Sequence, residues 1–251
     1  MKPTRCLTST ASAMAFAAMV TSVPALAEDV AYEVAGEAFT GYYAQAPDPK
    51  GLVLIVHDWD GMTDYERKRA DMLAEMGYSA FALDMFGDET PTETVDHRRA
   101  ATGALYQDRE RMRTLIQAGI EQAKQRAGDA QMVVMGYCFG GAVSLEMARS
   151  DMADMATGYA SFHGGLSTPD GQSWTGDEPP VLVLHGGADT SITLDDVATL
   201  AKELEAAGTT YSIEVYSGAP HAFTVFGSDR YQERADMASW DAFSSFLDEQ
   251  L

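Results

Sequence analysis

The chain has 251 residues, 46% hydrophobic and 22% charged, with 22 Gly and 9 Pro. That mixture supports a buried core and excludes collagen-like, coiled-coil and extensively disordered chains. Lys and Arg total 17 against 38 Asp and Glu, a formal net charge of −21, which argues against nucleic acid or an anionic membrane as a partner because both present phosphate.

The chain opens with Lys2 and Arg5, a short apolar run from Ala11 to Val20, and Pro24-Ala25-Leu26-Ala27. This is the charge, apolar stretch and small-x-small order of an export signal. A membrane anchor is the alternative, but the run is short and interrupted by Ser and Thr. The expectation is a signal peptide over residues 1–27, cleaved after Ala27, and a periplasmic or secreted mature chain, 28–251, with no membrane contact. Cys6 precedes the apolar run, so it is not a lipoprotein acceptor, and it leaves with the signal. Cys138 is then the only cysteine, which rules out an internal disulfide. A lone thiol is a liability in an oxidising compartment, and its surroundings become informative.

Val30 to Val34 and Ala38 to Gln45 flank Gly36-Glu37 as an edge hairpin. Leu52 to His57 is an unbroken apolar run of the kind found in a strand buried on both faces. Tyr65 to Met76 has helical spacing and is closed by Gly77. Tyr78 to Leu83 predicts a strand, Thr94 to Ala127 a mostly helical stretch, Met132 to Met135 a strand, and Phe139 to Arg149 a helix. Thr157 to Phe162 and Val181 to His185 are two further strands. Thr193 to Ala207 reads as a helix capped by Gly208, Tyr211 to Tyr216 as the last strand, and Tyr231 to Leu251 as a closing helix. This alternation predicts one α/β domain, a mostly parallel sheet with helices on both faces. Ligands of such sheets bind beyond the carboxyl ends of the strands.

Gly136-Tyr137-Cys138-Phe139-Gly140-Gly141 lies between a predicted strand and helix and matches the nucleophile-elbow pattern G-x-S-x-G with Cys for Ser. A nucleophile on so tight a turn needs neighbours without Cβ, and the helix starting there favours thiolate over thiol. A structural cysteine beside a glycine-rich turn is the competing reading. Asp189 follows the strand at 181–185 and His221 follows the strand at 211–216, giving the order nucleophile, acid, histidine. Asp189 could instead cap the next helix, and His221 could be a loop histidine. His57 and His185 end buried strands and read as structural or supporting. His163 reads either as a pocket residue or as a packed loop histidine. No cluster has metal-ligand spacing and no glycine loop cradles phosphate, so no cofactor and no metal is expected.

The segments Gly41-Tyr42-Tyr43-Ala44, His57-Asp58-Trp59-Asp60-Gly61, Gly77-Tyr78, Leu83-Asp84-Met85-Phe86-Gly87, the Cys138 elbow, Gly187-Ala188-Asp189 and His221-Ala222-Phe223 together resemble the dienelactone hydrolase family, in its exported bacterial branch. The resemblance implies an α/β-hydrolase fold, a Cys138–His221–Asp189 triad, and an oxyanion hole from the backbone N–H groups of Phe139 and Trp59. Asp58 stands where the family usually has a Glu that guards the resting thiol, one methylene longer. Family members acting on dienelactone also carry an Arg shortly after the histidine, where this chain has Ala222-Phe223-Thr224-Val225. A second Arg of that kind would correspond to Arg98 or Arg99.

The expected activity is hydrolysis of a small carboxylic ester or lactone through a cysteinyl thioester. With no Arg just after His221, neutral substrates are expected over carboxylated ones. A thioesterase is the adjacent alternative, and a ligand-binding protein on the same scaffold is another. A peroxide-directed redox role would need a resolving thiol, which the mature chain lacks. A monomer or small homo-oligomer is expected.

Overall fold

The computed structural model describes residues 26–251. The expected signal peptide lies outside the described residues, apart from Leu26 and Ala27. Those two open the first strand, β1 (Leu26–Val34), which pairs with antiparallel β2 (Glu37–Gln45). Then come β3 (Leu52–Val56), α1 (Asp64–Glu75), β4 (Ser79–Leu83), α2 (Val95–Gln107), α3 (Arg109–Ala127), β5 (Met132–Tyr137) and α4 (Phe139–Ala148). A single 3₁₀ turn at Ala153–Met155 precedes β6 (Gly158–Phe162), β7 (Val181–Gly186), α5 (Leu194–Ala207), β8 (Tyr211–Tyr216) and α6 (Glu233–Gln250).

All eight strands join one sheet in the order β1-β2-β4-β3-β5-β6-β7-β8. β3 to β8 run parallel, and the hairpin adds its two strands antiparallel at one edge. The mostly parallel sheet and its edge hairpin thus match the sequence reading.

Period-two alternation sorts the central strands between two cores. Leu52, Leu54 and Val56 of β3 join one core with α3 and α4, whereas Val53 and Ile55 join the other with α1 and α6. Every residue of β3, β4, β5, β6 and β7 is buried. Each large aliphatic or aromatic side chain so placed contributes roughly 1.5–3 kcal/mol relative to exposure.

Two of the differences from the sequence reading have a local cause in helix capping. The helical stretch before β5 is two helices, broken at Asp108 (φ −120°, ψ 81°), whose side chain accepts the Arg111 N–H at 2.9 Å and starts α3. No Gly or Pro marks this break; an aspartate capping the second helix supplies it. α2 buries only Leu105. At the start of α1, Thr63 and Glu66 form a capping box, so the helix begins before the apolar spacing does.

α1 and α6 are locked together by charge. Arg69 is 1% exposed and pairs with Asp236, and its Nη2 also donates to the Thr224 carbonyl at 3.0 Å. Breaking such a buried pair from one side typically costs about 3–5 kcal/mol.

Candidate active site

The site gathers at the carboxyl ends of β3, β5, β7 and β8. Cys138 follows β5 and opens α4 with φ 49° and ψ −106°, a backbone conformation that costs a non-glycine residue on the order of 1–3 kcal/mol. Two glycines make the turn possible. A Cβ on Gly136 would stand 2.2 Å from the Gly140 carbonyl, and one on Gly140 would stand 2.1 Å from the Val56 carbonyl. The first turn of α4 therefore sits nearly in contact with the end of β3. The Cys138 N–H donates to Phe162 O at 3.0 Å, fixing the turn from the other side.

Asp189 follows β7 and His221 follows β8, on loops tied together by Gly187 N–H to Tyr216 O (2.8 Å) and Ala188 N–H to Ala219 O (2.9 Å). His221 Nδ1 lies 2.7 Å from Asp189 Oδ2, and its Nε2 lies 3.1 Å from Cys138 Sγ. The other Asp189 oxygen accepts the Ser191 and Ile192 N–H groups at 2.8 and 3.0 Å. Burial opposes ionisation of Asp189, but the hydrogen bonds from His221, Ile192 and Ser191 outweigh it and hold the carboxyl below its ordinary value. An ionised Asp189 accepts a hydrogen bond from Nδ1–H, which keeps the proton on Nδ1 and leaves the Nε2 lone pair facing the thiol.

The surroundings of the sulfur favour the thiol. Burial pushes Cys138 well up and the Asp58 carboxylate adds to it, while the Phe139 amide pulls the other way and loses. The helix start alone favoured thiolate; desolvation and a neighbouring carboxylate reverse that balance.

Asp58 is itself buried, and burial, followed by repulsion from Asp60, pushes its pKa up to about 6. Its Oδ1 accepts the Trp59 N–H, so one of the two expected oxyanion donors is already engaged in the resting site. Glu66, pushed up to about 7 by burial, accepts the Asp58 N–H at 3.3 Å and the Thr63 N–H and hydroxyl at 2.9 and 2.7 Å. The loop bearing Trp59 is thereby held by two carboxylates in succession. Sequence reading missed Glu66, although the Thr63-x-x-Glu66 spacing signals it.

Among the remaining histidines, His57 links Asp58 O (2.6 Å) to the Met85 N–H (3.0 Å), bracing the ends of β3 and β4. His185 Nε2 lies 3.1 Å from Ile192 O beneath the Asp189 loop. His163 is fully buried behind His221, their ring centroids 5.4 Å apart, and is a packed histidine rather than a pocket wall.

An open cleft lies on the Asp58 and Ala222 side of the site, lined also by Trp59, Tyr65, Arg98, Val225 and Arg230; neither Cys138 nor His221 is among its lining residues. Arg98 sits 3.8 Å from Asp60 and over the Trp59 ring at 5.6 Å; Arg99 lies outside the cleft and reaches Asp96. Arg230, on the loop that carries His221, forms no ion pair among the described residues. No local pattern marks Arg230 as a cleft residue, because it returns there only through the path of that loop.

A mostly parallel sheet with an antiparallel edge hairpin and a strained strand-to-helix turn after β5 is the α/β-hydrolase fold. Residues 39–251 match the dienelactone hydrolase family, and the chain belongs to it, a hydrolase of ester or lactone bonds. It is 28% identical to a Salmonella typhimurium protein named "Putative carboxymethylenebutenolidase", over 90% of this chain and 85% of that one. The structure of a dienelactone hydrolase-like promiscuous phosphotriesterase from metagenomic libraries superposes with a TM-score of 0.80 at 26% identity, covering 91% of this chain and 99% of that one. A dienelactone hydrolase from Anabaena variabilis shares the fold at a TM-score of 0.69 and 16% identity, over 91% of this chain and all of the other.

Asp58 is charged above about pH 6 and opposes ionisation of Cys138, so removing its charge makes the thiolate easier to form. Asp58→Asn is expected to move the pH midpoint of Cys138 alkylation by iodoacetamide downwards. Superimposable profiles would mean that Asp58 does not sense the sulfur.

Proposed function

We propose that the protein hydrolyses a small carboxylic ester or lactone through Cys138, His221 and Asp189. The observation that carries this reading is the line Asp189–His221–Cys138, with contacts of 2.7 and 3.1 Å at the ends of three strands. His221 Nε2 takes the thiol proton as Cys138 Sγ bonds to the substrate carbonyl carbon. Asp189 stabilises the imidazolium, and the tetrahedral oxyanion is held by the amides of Phe139 and Trp59. Collapse breaks the C–O bond, and His221 returns its proton to the departing alkoxide, leaving a thioester. Water, deprotonated by His221, then releases the acid and restores the thiol. The Trp59 amide serves the oxyanion only once the Asp58 carboxylate has left it, which couples substrate entry to exposure of the thiol.

Turnover of p-nitrophenyl esters and small lactones should fall about 10⁴-fold or more in Cys138→Ala and in His221→Ala. Because such residues act as a unit, the double variant should lose little beyond either single one. Near-normal turnover by Cys138→Ala would overturn covalent catalysis at this residue.

The expected preference for neutral substrates rested on the lack of an Arg just after His221. Arg98 in the cleft is shared with Asp60, whereas Arg230 has no ion pair among the described residues and supplies a cation from elsewhere in the chain, which supports a substrate bearing a carboxylate. Arg230→Ala should raise KM about fivefold for a carboxylated lactone, equivalent to ~1 kcal/mol for an exposed charge pair, and leave a neutral p-nitrophenyl ester unchanged. Equal effects on both would reject the carboxylate reading.

We also propose that the protein is exported with residues 1–27 removed, on the order of charge, apolar run and small-x-small site in the sequence. Mass spectrometry of protein from its host should find Glu28 at the N-terminus. Full-length chain in the cytoplasm would contradict export.

A further inference from the structure

Behind His221, away from the thiol, runs a chain of polar contacts that the reaction above does not use. Arg69 Nε donates to Tyr65 Oη at 3.3 Å, and Tyr65 donates to Thr224 Oγ1 at 2.7 Å. Thr224 Oγ1 in turn lies 2.8 Å from His163 Nε2. The Thr224 carbonyl is held separately by Arg69 Nη2 at 3.0 Å. Thr224, His163 and Arg69 are 0%, 0% and 1% exposed, so none of these bonds is exchanged easily for water.

The chain converges on the turn that carries His221. Ala222, the next residue, has φ 61°, a left-handed conformation that an alanine adopts only when its surroundings impose it. Thr224 is the first residue beyond that strain to be held by both its main chain and its side chain. His163, itself at φ 41°, presents its ring edge to His221 at 66° and to Phe223 at 75°. Thr224 Oγ1, which accepts from Tyr65, shares one hydrogen bond with His163 Nε2, while the buried His163 Nδ1 has no partner among the described residues. Burial, then the proximity of His221, holds His163 well below its ordinary pKa. A neutral His163 packs against His221 without competing for the proton that His221 must carry.

We propose that Thr224 is a positioning residue for His221: its hydroxyl, joined to Tyr65 and His163, and its carbonyl, held by Arg69, fix the strained turn that aims Nε2 at Cys138. Tyr65 also lines the cleft, so the same hydroxyl links the cleft wall to the base. The inference rests on His221 acting as that base.

The test compares Thr224→Val, which keeps shape and removes the hydroxyl, with Thr224→Ser, which keeps the hydroxyl, using p-nitrophenyl acetate and a His221→Ala control. A misaimed base lowers the rate of bond making without changing ground-state binding. Thr224→Val should therefore lose at least tenfold in kcat with KM within twofold, and Thr224→Ser should recover most of the loss. Wild-type kcat in Thr224→Val beside an inactive His221→Ala would overturn the positioning role while leaving the base in place. Loss in Thr224→Ser equal to that in Thr224→Val would also overturn it, assigning the effect to packing. An active His221→Ala would instead refute the base itself. Should Thr224→Val not fold, Tyr65→Phe removes the donor to the same hydroxyl: a fall in kcat supports the proposal, and an unchanged kcat overturns it.

Discussion

Everything at the site depends on how closely α4 approaches the end of β3. With no side chain at Gly136 or Gly140, the helix starts within van der Waals reach of the Val56 carbonyl, and the chain turns sharply enough to project Cys138. The same approach brings the Phe139 amide and the loop after β3 to the sulfur, so the proposed nucleophile and oxyanion donors share one constraint. The backbone strain at Cys138 is held in place by two buried cores, one on each face of the sheet, whose stability far exceeds the cost of one unfavourable residue.

The electrostatics of the resting site oppose reaction. A helix N-terminus favours a thiolate, yet burial and Asp58 keep the proton on sulfur. Asp58 and Glu66 are both buried carboxylates with raised pKa values, and both spend their oxygens on the backbone of the loop that bears Trp59. For a chain with one cysteine beyond residue 27, a protonated resting thiol is also a protected one, because oxidation proceeds through the thiolate.

Much of this was legible in the sequence. The unbroken apolar run 52–57 is of the kind found in strands covered on both faces, and glycines between a strand and a helix fit a turn too tight for Cβ atoms. Asp189 and His221 were legible because each follows a buried strand in a fixed order. Other features were not, because they exist only between distant segments. Thr224 looks like any loop threonine until Tyr65, 159 positions away, donates to it. Arg69 carries no local mark of burial, and its pairing with Asp236 joins two helices far apart in the chain. Arg230 enters the cleft through the course of a loop that no periodicity describes. The break at Asp108 was hidden because a capping aspartate interrupts helical spacing without the usual Gly or Pro.

That break gives α2 an unusual standing in the molecule. It overlaps the site, carrying Arg98 at the cleft and Tyr106 against the Phe139 ring, yet it contributes a single buried side chain, Leu105. Substitutions along its outer face therefore disturb almost no core packing, whereas those in the strands that hold the nucleophile and its partners do. At Arg98 the wall of the cleft and the stability of the core are therefore separable. A lineage could alter the charge on that side of the cleft by re-lettering one lightly anchored helix, with the scaffold inherited unchanged.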